Sequence, residues 1–208
     1  MKMLIMGAPG CGKGTQSEIL AKTLNIPTIS TGAMLREAIA KGTDVGKEAA
    51  MYINDGKLVP DNTIINVVLD RVAQDDCKNG YILDGFPRTL AQAEAMEKAG
   101  IKTDVVLMID VDKDVIIERL AGRRVCSKCP ATYHITDNPS KSGDKCDVCG
   151  APLITRKDDN PETIKNRLEI YAESTAPVID YYGDKVVKVK SVGTVEETTK
   201  AILKALGI

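Results

Sequence analysis

"GAPGCGKGT", Gly7 to Thr15, follows the apolar run "KMLIM" at residues 2–6 and leads into a stretch with helical spacing of apolar positions, Ile19, Leu20 and Leu24. Strand, glycine-rich turn and helix in that order, carrying Gly7-x4-Gly12-Lys13, make the pattern of a phosphate-binding loop. Glycines let successive backbone N–H groups turn toward one anion. The helix start adds the positive end of its dipole, and Lys13 adds a point charge for β- and γ-phosphates. There is one departure. The general pattern has Ser or Thr directly after the lysine, whereas Gly14 intervenes here before Thr15, so the simple hydroxyl–metal contact of that pattern is not assumed.

Outward from this loop the chain alternates between strand and helix. "IPTIST" (26–31), "GYILDGF" (80–86), "DVVLMIDV" (104–111) and "KVVKVKSV" (185–192) are further strand candidates, mostly separated by segments of helix length. That rhythm predicts a parallel α/β sheet. The run at 104–111 is almost continuously apolar, as a strand covered on both faces must be. The run at 185–192 alternates Val with Lys and suits an edge strand with one wet face. Met1, Met3 and Met6 read as core filler, and "VEETTKAILKAL" at 195–206 as an amphipathic helix that covers the sheet.

Two regions break the rhythm. Residues 30–59 hold helical stretches at 33–41 and 44–55 with no strand between them, and residues 125–160 are rich in Cys, Pro, Lys and Asp. "DNPSKSGDK" at 137–145 cannot fold on apolar burial alone. Both regions read as insertions above one core, which 208 residues suffice to build.

Composition narrows the function. A formal net charge of -1 gives no bulk attraction to nucleic acid or to an anionic membrane. Trp is absent and Phe86 is the only Phe, so stacking platforms for single strands are lacking. The apolar run before Gly7 is too short for a signal peptide or a spanning helix, and the expectation is a cytoplasmic protein. Cys11 and Cys77 then stay free thiols.

The other four cysteines form "CSKCP" (126–130) and "CDVCG" (146–150), a C-x2-C-x16-C-x2-C array. Such an array can hold a metal, switch by redox, or brace a nucleic-acid-binding ribbon. Its spacing lies in the range read as zinc. Cys126, Cys129, Cys146 and Cys149 would give a closed tetrahedral site, structural because it leaves no position for water. Pro130 and Gly150 suit tight hairpin-like turns facing one ion, and His134, between the pairs, reads as a surface residue.

A second cluster gathers at "LDGFPRT", residues 83–89. Asp84 stands at the carboxyl end of a strand, where ligands of open α/β sheets collect, and a carboxylate there can hold Mg²⁺ directly or through water. Arg88 can fork onto a phosphate, and Gln92 can exchange paired hydrogen bonds with a base edge. Thr31 and Arg36 begin the first inserted helix.

With "STGAMLR" (30–36), "LAGRRV" (120–125) and "TRKDDNPETIKNRL" (155–168) added, the chain resembles the adenylate kinases of the bacterial type with a long zinc-bearing lid. The resemblance covers essentially the whole chain. It implies a five-stranded parallel sheet of the P-loop class, with a core of residues 1–29, 60–125 and 164–208. The nucleoside-monophosphate-binding insertion would be 30–59 and the zinc-binding lid 126–163. The implied reaction is ATP + AMP ⇌ 2 ADP with Mg²⁺, in a monomer without nucleic-acid or membrane partners.

The resemblance also assigns roles. ATP is expected at Gly10, Cys11, Gly12, Lys13, Gly14, Thr15, Arg119, Arg123, Thr132, Tyr133 and Val195. AMP is expected at Thr31, Arg36, Lys57, Leu58, Val59, Gly85, Phe86, Pro87, Arg88, Gln92, Arg156 and Arg167, with a cis bond before Pro87. Lys13, Arg88, Arg123, Arg156 and Arg167 would stabilise the transferring group, Asp84 would order magnesium-bound water, and Asp158 and Asp159 would support the lid arginines. Thr31 with Gln92 favours AMP over pyrimidine monophosphates. A kinase for another nucleoside monophosphate, and a nucleotide-regulated zinc-ribbon module that reads nucleic acid, are the competing readings. A GTPase is disfavoured because no N-K-x-D guanine motif occurs.

Overall fold

The computed structural model describes residues 1–129, 131–191 and 193–208. In chain order the elements are β1 (Lys2–Met6), α1 (Lys13–Leu24), β2 (Thr28–Ser30), α2 (Thr31–Lys41), α3 (Asp44–Ile53), α4 (Asp61–Val72), β3 (Tyr81–Asp84), α5 (Leu90–Lys98) and β4 (Val105–Asp110). They continue with α6 (Lys113–Gly122), β5 (Arg123–Cys126), β6 (Thr132–His134), β7 (Leu153–Ile154), α7 (Pro161–Ile170), α8 (Ala176–Tyr182), β8 (Val186–Lys190) and α9 (Val195–Leu206). The expected five strands are all present and pair in parallel in the order β2-β3-β1-β4-β8.

Why these runs form a two-sided sheet is visible in β1. Side chains alternate along a strand. Leu4 and Met6 meet Leu83, Val106 and Met108 on one face, under Ile64 and Val68 of α4, Ala93 and Met96 of α5 and Val178 of α8. Met3 and Ile5 meet Ile82, Leu107, Ile109 and Val189 on the other face, under Leu20 of α1 and Ile202 of α9. Each such side chain contributes about 1.5–3 kcal/mol by leaving water. Met3 and Met6 are therefore core, but Met1 is 41% exposed and is not. Strand β8 lies at the sheet edge with Val189 inward, while Lys188 and Lys190 reach Asp110 and Asp112. The expected end of that strand at Val192, like the turn expected at Pro130, lies outside the described residues.

The cysteine-rich region holds structure that the sequence did not announce. Strands β6, β5 and β7 form a three-stranded antiparallel sheet, with Arg123 opposite His134 and Cys126 opposite Leu153. The polar stretch before Cys146 is organised by one carboxylate. Asp147 accepts from the N–H groups of Lys141 and Ser142 and from the Ser140 hydroxyl, at 3.1, 3.0 and 2.8 Å. Hydrogen bonds take the place of the missing apolar core.

Candidate active site

The phosphate loop lies between β1 and α1 at the carboxyl edge of the sheet. Gly7 (φ 141°) has no room for a side chain, because a Cβ there would strike the Ile109 carbonyl and lie 2.7 Å from Cys11 Sγ. Gly12 precedes α1 in the left-handed region, φ 101°. Cys11 is buried and fills the floor of the loop, as a small filler residue does. Lys13 Nζ donates to the carbonyls of Gly7 and Ala8, both at 2.8 Å, so the ammonium sits at the mouth of the loop. Across from it Asp84 ends β3, its Oδ2 4.0 Å from where a Cβ on Gly14 would stand. Arg119 on α6 reaches the Cys11 carbonyl and Ser191 Oγ at 3.5 and 3.4 Å, bridging the loop to the end of β8. Val195 begins α9, and its carbonyl accepts from Gln16 Nε2 at 3.1 Å.

A second cavity, of about 80 Å³, lies between α2, the turn after α3 and the end of β3. It brings together Thr31, Arg36, Lys57, Leu58, Val59, Gly85, Arg88, Gln92 and Arg167, all expected at one ligand. The Thr31 hydroxyl donates to the Gly85 carbonyl (2.9 Å), and Arg88 Nε donates to the same oxygen (2.8 Å). Phe86 and Pro87 are joined by a cis bond. Neither lines the cavity, and the Phe86 side chain packs in the core instead. Gln92 was expected to offer its amide to a base edge. Here both ends are engaged: Oε1 accepts from the Arg88 N–H (2.7 Å) and Nε2 donates to Asp61 Oδ1 (2.6 Å).

Sequence reasoning missed Asp61, which also accepts from the Thr89 hydroxyl at 3.1 Å, and the apolar wall of Leu35, Ile53 and Ile64. The three apolar residues carry the ordinary helical pattern of core positions, and Asp61 is distant in sequence from Gln92, so nothing set them apart. Gly56 was missed as well. A Cβ there would lie 2.8 Å from Thr163 Cγ2 at a φ of 71°, and the turn stretch Asn54-Asp55-Gly56 was the available signal.

Above the loop and the cavity five guanidinium groups converge. Asp159, with no exposed side-chain surface, accepts from Arg123 Nε (2.8 Å) and Nη2 (2.5 Å) and from Arg167 Nη1 (3.0 Å). Asp158 Oδ2 pairs with Arg167 at 3.0 Å. Burial, then the Arg123 and Arg36 charges, push the Arg156 guanidinium down to about 9. Burial also lowers Arg36 and Arg88, and neighbouring arginines add to the effect in both. Arg156 Nε is buried with no hydrogen-bond partner among the described residues. Crowded cations with an unpartnered buried donor are stabilised by a polyanion.

The four cysteine sulfurs lie within 4.8 Å of one another, with Cys126–Cys149 at 3.4 Å and Cys129–Cys146 at 3.5 Å. Bonds of about 2.3 Å to a tetrahedral zinc place sulfurs about 3.8 Å apart, so the donor set fits such an ion. Backbone N–H groups of Lys128 and Cys129 point at Cys126 Sγ, 3.3 and 3.4 Å away. His134 is not among the four, nor is it a surface residue, since its side chain is only 12% exposed. Tyr133 was expected at ATP. The structure turns it into the cysteine cluster, its hydroxyl 3.3 Å from Cys146 Sγ and accepting from the Asp147 N–H at 2.8 Å. That hydroxyl holds the Cys146 thiol down at about 6. Thr132, on the same strand, is exposed.

A phosphate loop faced by Asp84 and an arginine-lined cavity beside it, under a canopy of guanidinium groups, suit transfer of a phosphoryl group from one nucleotide to another. The fold and site are those of a P-loop phosphotransferase. The sequence profile described as Adenylate kinase matches residues 5–187, and the chain belongs to the adenylate kinase family. It is 50% identical to the adenylate kinase of Caldicellulosiruptor saccharolyticus and 48% identical to that of Ruminiclostridium cellulolyticum, each comparison covering 100% of both chains. It is 47% identical to the adenylate kinase of Clostridium perfringens, over 100% of this chain and 99% of that one.

Proposed function

We propose that the protein transfers the terminal phosphoryl group of Mg-ATP reversibly to AMP, giving two ADP, with the phosphate loop holding ATP and the small cavity holding AMP. The unpartnered Arg156 Nε supports this reading most directly, because a buried guanidinium donor without an acceptor belongs beside a phosphate. In this reading Arg36 and Arg88 hold the AMP phosphate, while Lys13, Arg123, Arg156 and Arg167 stabilise charge on the transferring group. Asp158 and Asp159 hold two of those arginines in place through the ion pairs described above. No general base is required, since the accepting phosphate is already anionic. In this reading Thr31 and Gln92 select the AMP base, and Gln92 rebuilds its hydrogen bonds when a purine edge arrives.

Asp84, facing the phosphate loop, would hold the magnesium ion through water, and the ion supplies charge neutralisation between the phosphates. Cys126, Cys129, Cys146 and Cys149 would hold zinc as a structural brace. Residues 30–59 and 126–163 act as the AMP-binding and lid segments over a core made of the remainder, and their closure keeps water from the donor. The enzyme works as a cytoplasmic monomer. Among the described residues no helix is long and apolar enough to cross a membrane.

The test is ADP formation by the purified protein with ATP paired in turn with AMP, GMP, CMP and UMP. Turnover with AMP, at least tenfold above the others in kcat/KM, is expected. Preference for another monophosphate would reassign the cavity, and tight binding of DNA or RNA at physiological salt would favour the zinc-ribbon reading.

A further inference from the structure

We infer that His134 is a positioning residue that wedges the junction between α6 and β5 and so fixes the direction of Arg123. The inference rests on the proposed role of Arg123 at the transferring phosphate. Gly122 ends α6 and Arg123 begins β5 with no residue between them. The imidazole of His134 occupies the space that a side chain on Gly122 would need: a Cβ there would lie 2.5 Å from its Cε1 and 2.8 Å from its Cδ2. Glycine stands at the end of this helix because the ring stands beside it.

The ring is held from both sides. Its Nδ1 accepts from the backbone N–H groups of Asp137 (3.1 Å) and Thr136 (3.3 Å), with the Thr136 hydroxyl at 3.0 Å. Two N–H donors on Nδ1 place the proton on Nε2, which points to the Glu118 carbonyl of α6 at 3.5 Å. The backbone repeats the clamp. His134 pairs with Arg123 in the antiparallel register, and the Ile135 N–H donates to the Gly122 carbonyl at 3.0 Å. One side chain therefore joins the turn after β6, the end of α6 and the first residue of β5. Arg123 carries that geometry to its ion pair with Asp159. An ångström of play at Gly122 is transmitted to the guanidinium, a displacement of the size that lowers rates by about one to two orders of magnitude.

The experiment is a double-variant cycle on the full-length, metal-loaded enzyme: His134→Ala, Gly122→Ala and the two combined. kcat of the transfer step, taken from single turnovers at saturating substrates so that product release does not mask it, is measured for each together with KM for AMP, zinc content and Tm, with His134→Asn as the conservative variant whose Oδ1 can replace the Nδ1 acceptor. His134→Ala is expected to lower kcat about tenfold and to leave KM for AMP within about twofold, since no AMP-cavity residue is touched. Gly122→Ala is expected to lower kcat by a similar factor by expelling the ring. The combined variant, whose new methyl enters the space the ring has left, is expected to be no worse than the poorer single one. His134→Asn should recover part of the loss.

Unchanged kcat in His134→Ala, or losses that simply multiply in the combined variant, overturn the inference. A Tm loss in His134→Ala with kcat intact well below that Tm also overturns it, because the role is then only structural. Should His134→Ala not fold, His134→Asn and Gly122→Ala decide by the same kcat-against-KM criterion. Arg123→Ala separates the two layers of the argument. If it leaves kcat unchanged, the reading of Arg123 fails. If it abolishes turnover while the His134 variants are normal, only the wedge fails.

Discussion

Asp159 illustrates how one buried carboxylate anchors two arginines of the canopy. Its side chain is fully buried, and each oxygen receives a charged donor, Arg123 on both and Arg167 on one. Burying an ion is costly unless its partners satisfy it, and deleting one partner leaves the others unpaired in a poorly solvated place. Asp159→Ala is therefore expected to cost about 3–5 kcal/mol of stability, read from urea unfolding of the unliganded protein. It should also lower kcat by at least an order of magnitude, because Arg123 and Arg167 lose their common anchor. Added inorganic phosphate should restore more stability to the variant than it gives the parent, since an anion then replaces the missing carboxylate. A variant as stable as the parent would mean that the ion pairs contribute nothing beyond what water supplies.

At the scale of elements, the cysteine-bearing sheet shows what a metal brace replaces. Strands β5, β6 and β7 contain four, three and two residues, and among the described residues of these strands and their turns the buried cluster is Cys126, Tyr133, Cys146 and Ala151. That core is too small to hold a sheet by apolar burial, so thiolate bonds to the proposed zinc would carry the fold of this segment. Cys129→Ala is expected to lower Tm by more than about 5 °C while activity well below the transition falls less than about threefold. Differential scanning calorimetry and low-temperature assays check the pair of outcomes. Loss of activity with the fold intact would give the metal a chemical role.

The same elements mark what was legible in the sequence. The five parallel strands announced themselves as short apolar runs spaced by segments of helix length, near-continuous where both faces are covered, as at 104–111, and alternating at the edge, as at 185–192. The phosphate loop was legible because its backbone geometry demands glycine. Strands β5–β7 were not, since runs of two to four residues carry no period, and their pairing follows from where four thiols meet. Tyr133 and His134 were misplaced for a related reason: their partners Cys146 and Gly122 are 13 and 12 positions away, and only the folded register brings them together. Asp61, 31 positions before Gln92, lies beyond any local pattern.

At the scale of the molecule, the 30–59 insertion already rests on α7. Asn166 Nδ2 donates to the Asp55 carbonyl at 2.6 Å, and Gly56 packs on Thr163 and Arg167. The AMP cavity beneath it, about 80 Å³, is well below the roughly 300–1,000 Å³ of sites that enclose drug-sized ligands. Nucleotides must therefore enter and leave through a wider arrangement than this one. Opening would separate the arginine canopy from the phosphates, and we expect it to be the costly step once two ADP molecules are bound, so that product release sets turnover. A rapid-quench experiment should accordingly show a burst of ADP formation in the first turnover, faster than the steady-state rate. Asn166→Ala removes one exposed hydrogen bond between insertion and helix, worth about 0.5–1.5 kcal/mol, which shifts the closed-to-open ratio up to about tenfold. It should raise KM for AMP and shrink the burst relative to steady-state turnover, while the single-turnover rate at saturating substrates stays within about twofold. Single-turnover chemistry as slow as steady-state turnover in the parent enzyme would place the barrier at phosphoryl transfer instead, and Asn166→Ala would then leave the ratio of the two rates unchanged.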